Sequence, residues 1–212
     1  GSISCDRSVY PVPWTSGDLA TGDNTTSVST QSEAGAVTAW ITVSDADETN
    51  DTLTTSSANS AGTILIKHTN STGTSTIFTA GNSAGAVDAS AGSRAAELGV
   101  LSEVVIGSSE FETSMSITET LSYASGTITI QAGDVIQAVY VDSADDAGSS
   151  STFYDSSTFD LRTGSLSIDK DVYVMGSDMV ITVTDPDLNL DSTTCESYAM
   201  SLIEWDSSAD SS

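Results

Sequence analysis

Two acidic runs in the chain are built to one plan. Asp45, Asp47, Thr49 and Asp51 alternate in the first, and Asp185, Asp187, Asn189 and Asp191 alternate in the second. In an extended segment alternate side chains point the same way, so each run can gather its oxygens on one side. Carboxylate and carbonyl oxygens gathered like this are what a hard cation such as Ca²⁺ takes as ligands. A further acidic stretch holds Asp142, Asp145 and Asp146, and it can supply additional ligands from a neighbouring loop of the fold. Glu196 stands where the last ligand of an EF-hand loop beginning at Asp185 would be, but position six is Leu190 where that loop needs glycine. The first copy has Ser56 in place of Glu196. Neither run is therefore an EF-hand. The plain alternative is that the acids occupy solvated turns, where Asp and Asn are at home.

Other residue types point to covalent chemistry of a non-catalytic kind. Cys5 and Cys195 lack the close spacing of a zinc site. In an oxidising compartment they are disulfide candidates, within one chain or between two. Asn24, Asn50 and Asn70 each open an Asn-x-Thr sequon in a polar stretch, as a glycosylation acceptor requires. A catalytic signal is weak by comparison. Residues 81–85 read Gly-Asn-Ser-Ala-Gly and match the pattern of a nucleophile elbow around Ser83. No helix is expected after it, no parallel α/β sheet is expected around it, and the lone histidine, His68, reads as a surface strand residue. No phosphate-loop, dinucleotide or metal-hydrolase motif occurs, and the expectation is a protein that is not an enzyme.

The elements that must position these residues repeat along the chain. Residues 40–51 read Trp-Ile-Thr-Val-Ser-Asp-Ala-Asp-Glu-Thr-Asn-Asp, and 180–191 read Val-Ile-Thr-Val-Thr-Asp-Pro-Asp-Leu-Asn-Leu-Asp. Upstream, 1–10 read Gly-Ser-Ile-Ser-Cys-Asp-Arg-Ser-Val-Tyr, and 164–173 read Gly-Ser-Leu-Ser-Ile-Asp-Lys-Asp-Val-Tyr. Two matched pairs in one order define a repeated module. The expectation is one module over 1–162 and the N-terminal part of a second over 163–212. Period-two alternation marks strands at 3–12, 37–43, 63–67, 75–79, 98–106, 111–121, 126–130, 134–142 and 152–161. The Ala132-Gly133 turn predicts a hairpin joining the strands at 126–130 and 134–142. Short strands with regular turn signals predict an all-β fold: tandem immunoglobulin-like antiparallel β-sandwich domains, the second incomplete.

Charge narrows the partners. With 5 Lys+Arg against 30 Asp+Glu, the formal charge is -25. Such a surface repels phosphate, which excludes nucleic acid, and it disfavours anionic lipid. No apolar run is long enough for a membrane-spanning helix, so direct insertion by this segment is not expected. Small cations and salt-rich surroundings suit it. Abundant Ser, Thr, Gly and Ala with few aromatics fit an extracellular β-protein.

The segments 158–164 (Thr-Phe-Asp-Leu-Arg-Thr-Gly), 169–173, 184–191 and 198–206 resemble the S-layer proteins of ammonia-oxidising marine archaea. The first module is similar more loosely, through Val-Tyr-Pro-Val-Pro at 9–13 and Gly-Asp-Val-Ile-Gln at 133–137. The resemblance implies an internal segment of a long secreted chain of immunoglobulin-like domains. It further implies self-association with neighbouring copies into a cell-surface lattice, an acidic surface, bound cations and no catalytic residues. The competing expectation is an adhesin or pilus-like subunit, its incomplete module completed by a neighbour's strand.

Overall fold

Alternation of β-branched and small polar residues builds nearly every element. The computed structural model describes residues 1–14, 35–48, 52–53, 64–82, 96–123, 126–142, 148–198 and 203. In β3 (Val37–Ser44) the residues Val37, Ala39, Ile41 and Val43 are buried while Thr38, Trp40 and Thr42 are half-buried. That is the signature of a strand with one face on a core.

Two sheets share that core. One runs β1 (Ser2–Cys5), β3, β9 (Glu110–Ile117), β8 (Leu101–Glu103) and β4 (Thr52–Leu53) in spatial order. The other runs β2 (Val9–Pro11), β13 (Ser151–Asp160), β12 (Val135–Asp142), β5 (Ile64–Asn70), β6 (Gly73–Ala80) and β7 (Ala96–Glu97). Neighbours are antiparallel except β2 on β13 and β6 on β7. Ile41, Val43, Phe111, Met115 and Ile117 from the first sheet join Tyr10, Ile64, Ile66, Ile136 and Phe159 from the second in one buried cluster. Each such side chain contributes about 1.5–3 kcal/mol on burial. The chain is an all-β sandwich, as its strand pattern predicts.

The first segment serves both sheets. β1 pairs with β3, the chain crosses at residues 6–8, and β2 pairs in parallel with β13. Asp6 fixes the crossing: its Oδ1 accepts the Tyr10 hydroxyl at 2.5 Å and the Trp40 amide at 2.9 Å.

One local expectation is corrected. The strands on either side of Ala132-Gly133 do not pair with each other. β11 (Gly126–Thr129) turns back on β10 (Thr120–Tyr123), while β12 lies between β13 and β5. β11 buries only Ile128, whereas β12 carries several apolar residues and gains a long ladder on each side. Core burial therefore outweighs the short turn. Gly133, at φ +91°, carries the chain from the small hairpin onto the sheet.

The repeat reappears in three dimensions. β14 (Ser165–Ile168) pairs with β15 (Ile181–Thr184) through Leu166↔Val183 and Ile168↔Ile181, and β1 pairs with β3 through Ile3↔Val43 and Cys5↔Ile41. These registers are identical under the sequence alignment. The crossing is kept too: Asp169 Oδ1 accepts the Tyr173 hydroxyl and the Val180 amide, as Asp6 does from Tyr10 and Trp40. What differs is cover. Ile3 and Val43 are 8% and 0% exposed, whereas Leu166 and Val183 are 61% and 40% exposed.

Candidate functional site

The first acidic run leaves the end of β3 in a tight turn. The Asp45 amide donates to the Ser109 carbonyl at 3.0 Å, and the Glu48 amide closes the turn on the Asp45 carbonyl at 3.3 Å. Tyr140, on β12, donates its hydroxyl to Asp45 Oδ2. Asp142 lies two residues further along the same strand, which places it on the same face. As a result Asp45, Asp47 and Asp142 present carboxylate oxygens within 4.8 Å of one another. Asp45 and Asp142 are buried and Asp47 is exposed.

Three acids this close make their charge costly. Burial pushes the Asp45 carboxyl above its ordinary value despite the Tyr140 hydrogen bond, and Asp47 and Asp142 push it further. Asp47 moves the other way, lowered mainly by its contact with the Asp45 carboxyl. Asp45 Oδ1 is buried and meets no hydrogen-bond donor among the described residues. A divalent cation seated here would neutralise the group and engage that oxygen. Backing is rigid: Tyr140 stacks on Phe153 with ring centroids 6.3 Å apart. Gly1 packs beside them, where a Cβ would come 2.9 Å from the Tyr140 ring.

The second acidic run does something else. Asp185 caps a single 3-10 turn over Pro186–Leu188 by accepting the Asp187 amide at 2.9 Å. Asp187 is taken by Arg162, whose amide reaches Oδ2 at 2.6 Å and whose Nε reaches Oδ1 at 3.1 Å. The same guanidinium donates to the Pro186 carbonyl at 2.9 Å. Further on, the run lies against the first sandwich. The Thr38 amide donates to the Leu190 carbonyl at 2.9 Å, Arg7 Nη1 to the Asn189 carbonyl at 2.6 Å, and Trp40 Nε1 to Asp191 Oδ1 at 3.1 Å. Ser192 donates to Asp6 Oδ2 at 2.6 Å. Burial opposes ionisation of Asp191, but hydrogen bonds from Thr193, Thr194 and Trp40 prevail and hold it at about 2. Glu196 does not face these acids as a fellow ligand; its Oε1 accepts the Leu190 and Asp191 amides at 2.7 Å.

The expected donors therefore separate into two groups. Asp45, Asp47 and Asp142 come together. In the second run Asp185 caps its own turn, Asp187 and Asp191 are held by Arg162 and Trp40 through their carboxylates, and Asn189 meets Arg7 through its backbone carbonyl. Asp51, Asp145, Asn24, Asn50 and Ser83 lie outside the described residues. Asn70 sits at the start of its turn, where its Oδ1 accepts the amide and hydroxyl of Thr72. Cys5 and Cys195, the disulfide candidates within one chain or between two, are both free thiols in this structure of a single chain. Cys5 is half-buried against the core, and Cys195 is exposed beyond the second acidic run.

His68 corrects a further expectation. It is 1% exposed, and its Nε2 lies 2.8 Å from Asp134 Oδ2. It shares its face of β5 with the buried Ile64 and Ile66, so the period-two alternation of the strand carries it into the core. Residues the sequence did not single out are Tyr140, Arg162, Arg7 and Trp40. Rarity was the available signal for two of them. Arg7 and Arg162 belong to only 5 basic residues in the chain, and both serve the joint.

Among the described residues no helix is long and apolar enough to cross a membrane. In comparison with known proteins, no family model and no curated sequence matches the chain.

Proposed function

We propose that this chain is a structural part of a secreted surface-layer protein, built from tandem immunoglobulin-type sandwiches that self-associate into an acidic extracellular lattice. The observation that carries this reading is the docked repeat. The β14–β15 hairpin reproduces β1–β3 in register and is fastened to the sandwich before it by Arg162–Asp187, Trp40–Asp191 and Arg7–Asn189. A joint with several directional contacts holds one bead at a fixed angle to the next, which a lattice needs and a flexible linker does not supply. Strand order supports the immunoglobulin-type topology: β1-β3-β9-β8 follows the A-B-E-D sheet, and β13, β12 and β5 follow G, F and C.

Cations complete the reading. Ca²⁺ seated on Asp45, Asp47 and Asp142 would neutralise three carboxylates whose oxygens crowd together, and other small cations would gather over the acidic surface. Electron microscopy of the purified chain, with Ca²⁺ and then with chelator, tests this. Ordered two-dimensional sheets that dissolve on chelation are expected. A chain that stays monomeric at every Ca²⁺ concentration overturns self-assembly.

A second reading is an adhesin or pilus-like subunit, favoured by the exposed apolar face of Leu166, Ile168 and Val183. Filaments joined by strand exchange, in place of sheets, would select it.

A further inference from the structure

The two acidic turns are the same object in two states of partnership. Both close with the same backbone bond, Glu48 amide to Asp45 carbonyl and Leu188 amide to Asp185 carbonyl, each at 3.3 Å. Both follow a strand paired in the same register with the segment that begins Gly-Ser. Both glycines are crowded: a Cβ on Gly164 would fall 2.7 Å from Asp185, and one on Gly1 would fall 2.9 Å from Tyr140. Asp47 therefore occupies the place of Asp187, and the Ala46 carbonyl occupies the place of the Pro186 carbonyl.

In the second copy that place binds an arginine. Arg162 stands two residues ahead of Gly164 and meets Asp187 through its amide and Nε, and Pro186 through Nη2. In the first copy Asp47 is exposed, and beside it Asp45 Oδ1 is 4%-exposed residue surface with no donor among the described residues. We propose that the Asp45/Asp47 turn is a socket for the guanidinium of another sandwich of this kind, entered by an arginine two residues ahead of the module's Gly-Ser. The proposal rests on the tandem arrangement above and names the partner of the same carboxylates. Planar guanidinium suits this socket because its in-plane N–H groups must meet a carboxylate and a carbonyl together, a geometry a lysine ammonium matches less well. A Ca²⁺ ion and the arginine draw on the same Asp47 oxygens, so module docking and metal binding compete.

The test extends the chain ahead of Gly1 by Leu-Arg-Thr, the sequence of residues 161–163, with Leu-Gln-Thr as the control. In chelator the arginine form is expected to melt about 3 °C above the glutamine form, the scale of one added charged contact in a domain of this size. Asp47→Asn should erase the difference. Ca²⁺ affinity should fall roughly tenfold in the arginine form relative to the glutamine form, because Asp47 is engaged. Equal melting of the two forms in chelator overturns the socket. The metal is scored separately: a Ca²⁺-dependent rise in the glutamine form keeps the cation seat whatever the arginine does, and its absence removes that seat.

Discussion

The indole N–H of Trp40 donates to Asp191 Oδ1 at 3.1 Å across 151 residues of chain. It ties the third strand of the sandwich to the second acidic run, and with Thr193 it keeps Asp191 ionised. The sign of the pH dependence follows from the lowered value. A carboxylate depressed in the folded state adds stability above its unfolded value, near 4, and that stability is lost as pH falls through about 2. The joint should therefore hold at pH 5 and loosen in strong acid. The Trp40 Hε1 resonance, followed by NMR from pH 6 downwards, should titrate near 2; a midpoint near 4 would refute the coupling. Trp40→Phe should cost the joint roughly 1 kcal/mol and speed amide exchange in β15.

Val43 and Val183 are the same residue at the same repeat position in different surroundings, buried in one copy and 40% exposed in the other. Val43→Ala should destabilise the sandwich by roughly 2 kcal/mol through lost burial and a cavity. Val183→Ala should change stability by less than about 0.5 kcal/mol. Urea unfolding of the two variants measures both. Equal losses would mean that the second hairpin's apolar face is covered in solution, by a partner or a second copy.

Strand alternation made the sandwich legible because buried and half-buried residues alternate in β3 and β5, and the aligned repeats made the second hairpin legible in register. Pairing was harder to read. The β11–β12 hairpin expected across Gly133 gives way because β12 gains more from two sheet neighbours than from a short turn partner. The acidic runs were visible as runs, yet their fates diverge through residues far off in sequence. Tyr140 and Asp142 gather the first run, whereas Arg162, Arg7 and Trp40 disperse the second. No local pattern carries that information. The partner of His68 shows the same limit, since Asp134 lies 66 residues away, just ahead of β12.

His68 is the donor that makes burial of Asp134 tolerable, with the Gln131 amide as a second donor at 3.0 Å. His68→Phe keeps an aromatic ring but removes that hydrogen bond from a buried carboxylate. A loss of about 2–3 kcal/mol is expected by urea unfolding. Adding Asp134→Asn should recover part of it, because a neutral amide is cheaper to bury than an underpaired charge. A His68→Phe chain as stable as the parent would show that the pair contributes nothing.

Cys5 and Cys195 should differ in reactivity. Burial, chiefly, pushes the Cys5 thiol up to about 11, so only roughly 0.1% is thiolate at pH 8. Cys195 is exposed. A thiol reagent should label Cys195 at least tenfold faster in the folded chain and both alike in denaturant. Slow labelling of both in denaturant without reductant would instead mean that they are joined in a disulfide.

Asp45 carries the opposite pH sign to Asp191. Its carboxyl is raised by burial and by its acidic neighbours, so without a cation it favours folding when protonated, and that contribution is lost as pH rises through the raised folded value. Asp45→Asn removes the charge while leaving an oxygen to accept the Tyr140 hydroxyl. In chelator at pH 7 the variant should melt above the parent, by roughly 2–4 °C per kcal/mol of relieved repulsion. The gap should narrow as acid protonates Asp45 in the parent. With Ca²⁺ the order should reverse, because the parent gains binding free energy that the variant forfeits. A variant that melts below the parent in chelator at neutral pH would mean that the crowded carboxylates do not strain the turn.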